Sequence, residues 1–400
     1  MGTESDQMKK LVTKVIDSFR GKWSEDPDSV SIAPGRVNLI GEHTDYTGGF
    51  VLPVAIDRYI VIAAKKTSDS KITGYSIDFN EETSCQTNNY DPKHPKAWFR
   101  YIMGVLSELE LAGHPVAGFN FSIGGNIPIG SGLSSSAALE MAVLTAMEAL
   151  LGFRMKDTEA ALLCQRAENG FVGMNCGIMD QFISRMGQRD HALFIDCTDL
   201  SSRAIRINLP GYSWVVIDSG KRRGLVDSEY NKRRRECKEA LEKTRSQFPG
   251  RDIANLRDVS AKDLPVLKQT CSDIVYRRLK HVVTENERVL TAVSALDRGD
   301  ADTVGKLLYV SHESLRGDFE VSCDELDSLV ETLSGIAGVC GARLTGAGFG
   351  GSVITLVHNG AIPALTKAIE EKYHSVGTVG KVKTQILPIQ ISDGVRLLQV

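Results

Sequence analysis

Several things are missing from this 400-residue chain, and each absence excludes a class of protein. Its eight cysteines are scattered over positions 85, 164, 176, 197, 237, 271, 323 and 340, without a C-x-x-C pair or the Cys/His spacing of a zinc site. Reduced packing thiols in a cytosolic, cytoplasmic protein are therefore expected, and a structural zinc centre is not. Charge of one sign is also missing. The balance of 47 Lys and Arg against 50 Asp and Glu leaves −3, so nothing pulls the chain toward nucleic acid or an anionic membrane surface.

Residues 1–22 alternate charge with short apolar pairs and hold no secretory h-region. Asp6 stands where a myristoylation signal needs Ser or Thr. The longest apolar stretch, 133–151, carries three serines plus Glu140 and Glu148, which makes it a buried helix and not a membrane span. Prolines number only 12, and no Pro- or Ser-rich linker, repeat or low-complexity tract divides the chain. G-x-x-x-x-G-K-[ST], the usual phosphate-binding P-loop, occurs nowhere.

What is present is an ordinary globular composition, 42% hydrophobic and 24% charged, with 37 glycines whose positions matter more than their number. The length suggests two to three domains. Strand-like segments at 30–33, 49–56, 59–64 and 119–123 precede the 133–151 helix. A helix at 158–168, closed by Gly170, stacks Ala160, Cys164 and Glu168 on one stripe. Strands at 191–196 and 213–218 follow. The second half is dominated by amphipathic helices, one presenting Val282, Val283, Val289, Leu290, Val293 and Leu296 and stopping near Gly299, another presenting Leu326, Leu329, Val330 and Leu333 and stopping at Gly335. A strand at 352–357 and a helix at 361–373 complete the pattern. Without regular βαβα alternation, this predicts an α+β fold of two domains, 1–190 and 191–400.

Three clusters could carry chemistry. The first, Pro34-Gly35-Arg36-Val37-Asn38-Leu39-Ile40-Gly41-Glu42-His43-Thr44-Asp45-Tyr46, sets a cation, two carboxylates and an imidazole between apolar segments. Carboxylates that can each accept from two adjacent hydroxyls suit a polyhydroxyl ligand, although a charged surface turn would read alike. The second, Pro128-Ile129-Gly130-Ser131-Gly132-Leu133-Ser134-Ser135-Ser136-Ala137-Ala138, runs flexible glycines into a helix start, where free N–H groups make an anion site. Plain serine capping is the alternative. The third, Thr345-Gly346-Ala347-Gly348-Phe349-Gly350-Gly351, matches G-x-G-x-x-G with Glu370 and Glu371 about 20 positions on. A strand follows instead of a helix, so a dinucleotide site is rejected; a tight turn, or a backbone closing on a ligand, remains.

Two acids stand apart. Asp180 lies in the apolar setting Gly177-Ile178-Met179-Asp180-Gln181-Phe182, and Glu168 points inward from its stripe. A buried carboxylate needs a partner, so each is open to a structural salt bridge, a metal ion or general-base work.

In order and wording, the three clusters resemble the galactokinases of the GHMP small-molecule kinase family, whose phosphate loop reads Pro-x-Gly-x-Gly-Leu-(Gly/Ser)-Ser-Ser. The segment 35–46 looks like the signature that sets galactokinases apart from mevalonate and homoserine kinases, and the resemblance runs from about residue 29 to 400. It implies two α+β domains with the active site in the cleft between them, and transfer of a phosphoryl group from ATP to the anomeric hydroxyl of galactose. Asp180 would be the catalytic base and Arg36 the cation beside the reacting hydroxyl. Ser136 and Glu168 would bind Mg2+, and the loop Gly130, Ser131, Gly132, Leu133, Ser134, Ser135 and Ser136 would hold the ATP phosphates. Glu42, His43, Thr44, Asp45, Gly177 and Tyr230 would contact the sugar, with Trp98 and Tyr101 near adenine.

The partners implied are galactose and ATP, with no nucleic acid and no membrane, and a monomer is favoured. The alternatives are a kinase for a related sugar such as N-acetylgalactosamine, or a non-catalytic galactose sensor. Sensors depart from the family in the serine-rich loop, which is intact here at Ser134-Ser135-Ser136-Ala137-Ala138. The basic run Lys232-Arg233-Arg234-Arg235, flanked by Glu229, Glu236 and Glu239, reads as a solvated helix face.

Overall fold

The computed structural model describes residues 6–221, 226–373 and 384–399. Helix α1 (Asp6–Trp23) buries Met8, Leu11, Val15 and Phe19 on one face, the spacing of an amphipathic helix. It lays them on Val30 and Ile32 of β1 (Ser29–Asn38) and on Tyr59 and Val61 of β3 (Pro53–Lys66), which follows the short β2 (Phe50–Val51). Burial of each large apolar side chain there contributes about 1.5–3 kcal/mol. All ten residues of β1 are buried because the strand is covered on both faces.

Strands β4 (Lys71–Ser76) and β5 (Glu81–Gln86), helix α2 (Ala97–Leu111) and β6 (Phe119–Gly125) follow. They lead to α3 (Ser135–Leu151), α4 (Asp157–Arg166) and α5 (Met179–Met186), which cover the second face. Helix α3 is buried from Ala137 through Glu148, as the 133–151 segment predicts. Two of its inner polar groups share one cation: Arg185 donates to Thr145 Oγ1 at 3.2 Å and to Glu148 Oε1 at 2.9 Å.

The helix expected at 158–168 continues past α4 as a π-helix, Ala167–Val172, and is closed by Gly173 (φ +86°) rather than by Gly170. Glu168 sits on this wider turn and still points inward, at 5% exposure. One added residue per turn is a feature that recurs at functional sites.

Strands β7 (His191–Asp196), β8 (Ser202–Arg206) and β9 (Tyr212–Asp218) open the second half, followed by α6 (Val226–Gln247), α7 (Leu264–Thr270), α8 (Asp273–Asp297), α9 (Ala301–Gly317) and α10 (Asp324–Ser334). Then come β10 (Val339–Thr345), β11 (Ser352–His358), α11 (Ile362–Ala368), β12 (Gln385–Ile389) and β13 (Arg396–Leu398). The expected 361–373 helix is thus a 3-10 turn, α11 and a π-turn.

The apolar faces read from α8 and α10 are the buried ones, except that Leu290 is 45% exposed. The basic run is only half a solvated face. Arg233 is buried and donates to the carbonyls of Phe319 and Glu320, both at 2.7 Å.

Three sheets result: β13-β1-β3-β6-β4-β5, β10-β11-β9-β12, and β2-β7-β8. Every pairing is antiparallel except β4 with β6. Separate helical and antiparallel-sheet layers give the α+β architecture expected. The strand β13 returns to the edge of the first sheet beside β1, so the second half of the chain does not keep to its own layer. Among the described residues, no helix is long and apolar enough to cross a membrane.

Candidate active site

The three sequence clusters meet in one cleft of about 410 Å³, and backbone geometry explains the convergence. A register shift between Pro34 and Arg36 turns β1 at Gly35. A Cβ on Gly35 would lie 2.7 Å from the carbonyl oxygen of Leu133, so glycine lets the backbone of the 130–136 loop rest on the strand. The Arg36 N–H donates to that same oxygen at 3.0 Å. The Arg36 side chain then reaches Asp180 with two parallel bonds, Nε to Oδ1 at 2.6 Å and Nη2 to Oδ2 at 2.5 Å, and reaches the carbonyl of Gly132 at 2.6 Å. A fork-to-fork pair of this kind fixes both orientation and charge.

The loop ahead of α3 is not capped in the ordinary way. Gly130, Gly132 and Ser134 all take positive φ (+74°, +81° and +59°), and Ser134, at the N-cap position, makes no capping bond. Its hydroxyl donates to Asp180 Oδ2 at 2.8 Å instead. No serine cap therefore ties down the helix start, which is what an anion-binding N-terminus requires. Ser131 is buried and holds the turn through Pro128, while Gly130, Gly132, Leu133, Ser134, Ser135 and Ser136 line the cleft. The strand that follows the third cluster closes on this loop, since the Ser352 hydroxyl at the start of β11 donates to the Ser131 carbonyl at 2.8 Å.

On the facing wall, the His43 ring places Nε2 3.2 Å from the Ala347 carbonyl and Nδ1 2.9 Å from the Tyr46 hydroxyl. A carbonyl only accepts, so Nε2 carries the proton and Nδ1 accepts from tyrosine. Tyr230 packs against both rings, at 5.5 Å and 5.4 Å between centroids. Asp45 touches Gly177 so closely that a Cβ there would fall 1.6 Å from Asp45 Oδ2. Burial, with Asp180 and Glu42 nearby, pushes the Asp45 carboxyl up to about 7.

Glu42 is buried, ion-paired with Arg343 and accepting from the Gly346 N–H at 2.9 Å, and it lines the cleft. Thr44 is buried with its hydroxyl turned to the Gly41 and Phe50 carbonyls, so it shapes the turn and does not line the cleft. Tyr101 lines the cleft, whereas Trp98 lies outside it, packed on Phe99 and Phe121.

Glu168 and Ser136 face each other across the cleft floor. Glu168 accepts from Ser136, from Cys176 at 3.4 Å and from Gln181 at 2.7 Å. Burial, then the proximity of Asp180, lifts its carboxyl to about 7. Among the described residues, no group of three His, Cys, Asp or Glu could hold a metal alone. One carboxylate and one hydroxyl suit a divalent ion that shares its shell with phosphates, as Mg2+ does.

Sequence reasoning missed the supports. Arg343 is fully buried and donates to the carbonyls of Asn38 and Leu39, both at 2.8 Å, as well as pairing with Glu42. Glu285 accepts from the Gly41 N–H at 2.9 Å, and His281 lies 3.0 Å from the Glu42 carbonyl. A charged residue within the apolar strand 339–345 was the one available signal for Arg343.

Comparison with known proteins bears on this geometry. The chain matches the galactokinase galactose-binding signature over residues 17–66, the GHMP kinases N terminal domain over 100–188 and the GHMP kinases C terminal domain over 292–375. It is 42% identical over 379 residues to a galactokinase of Roseiflexus sp. (strain RS-1), covering 95% of each chain. It is 43% identical to a galactokinase of Thermosipho africanus, covering 86% of this chain and 93% of that one. The crystal structure of Lactococcus lactis galactokinase complexed with galactose superposes with a TM-score of 0.91 at 34% identity, over 98% of this chain and 100% of that one. Methanococcus jannaschii mevalonate kinase, at 21% identity and TM-score 0.64 over 91% of this chain and 98% of that one, shares the fold.

Proposed function

The chain belongs to the galactokinases of the GHMP kinase family, and from that premise we propose that it transfers the γ-phosphoryl group of ATP to the anomeric hydroxyl of α-D-galactose. The products are α-D-galactose 1-phosphate and ADP. The observation that carries this reading is the Arg36–Asp180 fork, set between the uncapped start of α3 and the acidic, aromatic wall at 42–46. An aspartate with nearby phosphate-binding backbone on one side and hydroxyl acceptors on the other is placed for phosphoryl transfer to a sugar.

In this mechanism, Asp180 takes the proton of the anomeric hydroxyl, and the freed oxygen attacks the γ-phosphorus. The bond to the bridging oxygen breaks and ADP leaves. Arg36 holds Asp180 in place and offers positive charge beside the reacting oxygens, while Ser134 fixes the second carboxylate oxygen. A positioned base contributes about 10²–10⁴-fold, and electrostatic stabilisation can match it. Asp45, His43, Glu42 and Tyr230 orient the sugar, and Gly177 leaves room for Asp45. Residues 130–136 cradle the phosphates through backbone N–H groups, with Tyr101 on the adenine side and Trp98 behind it. Ser136 and Glu168 would hold Mg2+, which when bound neutralises charge on the β and γ oxygens.

Eight unpaired thiols fit a reducing, cytoplasmic compartment. We place the domain division near residue 190, with β13 returning across it. The test is coupled ADP release with galactose, glucose, N-acetylgalactosamine and arabinose, with and without magnesium. Galactose should be turned over fastest and only with the metal. No turnover of any sugar would overturn the reading in favour of a sensor.

A further inference from the structure

One fully buried acid takes no part in the mechanism above. Glu140 lies one helical turn beyond Ser136 on α3, is 0% exposed and has no cationic partner among its described contacts. Gln181, beside Asp180 on α5 and equally buried, spends its amide nitrogen on two carboxyls at once. It donates to Glu140 Oε2 at 3.1 Å and to Glu168 Oε2 at 2.7 Å. The remaining oxygens, Glu140 Oε1 and Gln181 Oε1, are both buried without a partner.

Two buried acceptors left without donors in one place are costly. A planar carboxyl and a planar amide already joined by one bond can close a second if a hydrogen lies between those two oxygens. The amide then has a single orientation, with its other N–H aimed at Glu168. Without Glu140, Gln181 keeps only its bond to Glu168 to hold the amide, and its oxygen loses the partner that fixes it on the far side.

We propose that Glu140 and Gln181 form a buried pair that positions the Glu168 carboxylate toward the nucleotide-bound metal. The proposal rests on the reading of Glu168 as a metal ligand. Neither residue touches substrate, so both are positioning residues. Hydrogen-bonded supports of metal-binding carboxylates carry about 10–100-fold in metal affinity.

The test measures Mn2+ binding in the presence of ADP by electron paramagnetic resonance, without turnover, and galactose binding by calorimetry. The variants are Glu140→Leu, Glu140→Gln, Gln181→Met and Glu168→Gln. Glu140→Leu and Gln181→Met should weaken Mn2+ about tenfold or more while leaving galactose affinity within about twofold. Glu140→Gln should stay near the parent, because a glutamine offers an acceptor and a donor to the same two atoms of Gln181.

Parent-like Mn2+ binding in Gln181→Met, or a Glu140→Gln variant as impaired as Glu140→Leu, overturns the proposal. If Glu140→Leu does not fold, Gln181→Met and Glu140→Gln decide it alone. Loss of Mn2+ binding in Glu168→Gln with retention in Gln181→Met refutes the positioning pair and keeps the ligand. Retention in Glu168→Gln refutes the ligand reading itself, and the pair with it.

Discussion

Replacing Gly177 by alanine tests whether the sugar wall depends on one missing methyl group. The new Cβ would begin 1.6 Å from Asp45 Oδ2 and 2.3 Å from its Cγ, so the carboxylate must retreat by roughly 1.4 Å to reach even a tight contact. A sugar hydroxyl held by Asp45 would lose a bond to a charged acceptor, about 1.5–3 kcal/mol, or about ten- to a hundredfold in kcat/KM for galactose. The phosphate loop does not touch this contact, so KM for ATP should stay within about twofold.

The assay is steady-state kinetics in a cycle of Gly177→Ala, Asp45→Ala and the double variant. Once Asp45 is cut back to alanine, the added methyl meets empty space and should cost little more. A strong coupling between the two sites is therefore expected. A Gly177→Ala enzyme within about twofold of the parent on galactose, or effects that simply multiply, would refute the steric argument.

Asp180→Asn should lower kcat by at least about 10²-fold, with ADP affinity by calorimetry nearly unchanged. Ser134→Ala removes the hydroxyl that holds Asp180 Oδ2 and should cost about tenfold in kcat at constant KM for ATP. Arg343→Met leaves Glu42 buried without its cation and should destabilise the fold by about 3–5 kcal/mol in urea denaturation. For pH, Asp45 and Glu168 both have carboxyls raised to about 7 in the fold. Their contribution to stability is complete below the unfolded values near 4, and is lost as pH rises through about 7. The ligand-free Tm should fall across that window, and Asp45→Asn should flatten the fall.

The parts of the site legible in the sequence were those written within a few consecutive residues. Glycines and serines at 130–136, and the acidic and aromatic run at 42–46, declare a chemistry before any tertiary contact forms. Glu168 was legible in direction, since its stripe with Ala160 and Cys164 is buried, although the π-turn that carries it leaves no mark in the periodicity. Arg343, Glu285 and Gln181 were not legible, because each acquires its role from a partner distant in the chain or on another helix. Trp98 packs on Phe99 and Phe121 outside the cleft, while Tyr101 lines it, a difference in side-chain direction that two neighbouring aromatics on one helix do not declare. Fold class followed from element order, but the return of β13 to the first sheet did not, because three residues carry no periodicity.

That return has a consequence for the order of synthesis. Strand β1, which carries Arg36 near its C-terminal end, pairs through Val30, Ser31 and Ile32 with residues 396–398. During translation these partners leave the ribosome long after β1, so for much of its synthesis the growing chain carries β1 with that edge unpaired and apolar. An open edge of this kind invites strand pairing between chains, so anything that covers it in that interval would protect the strand that carries Arg36.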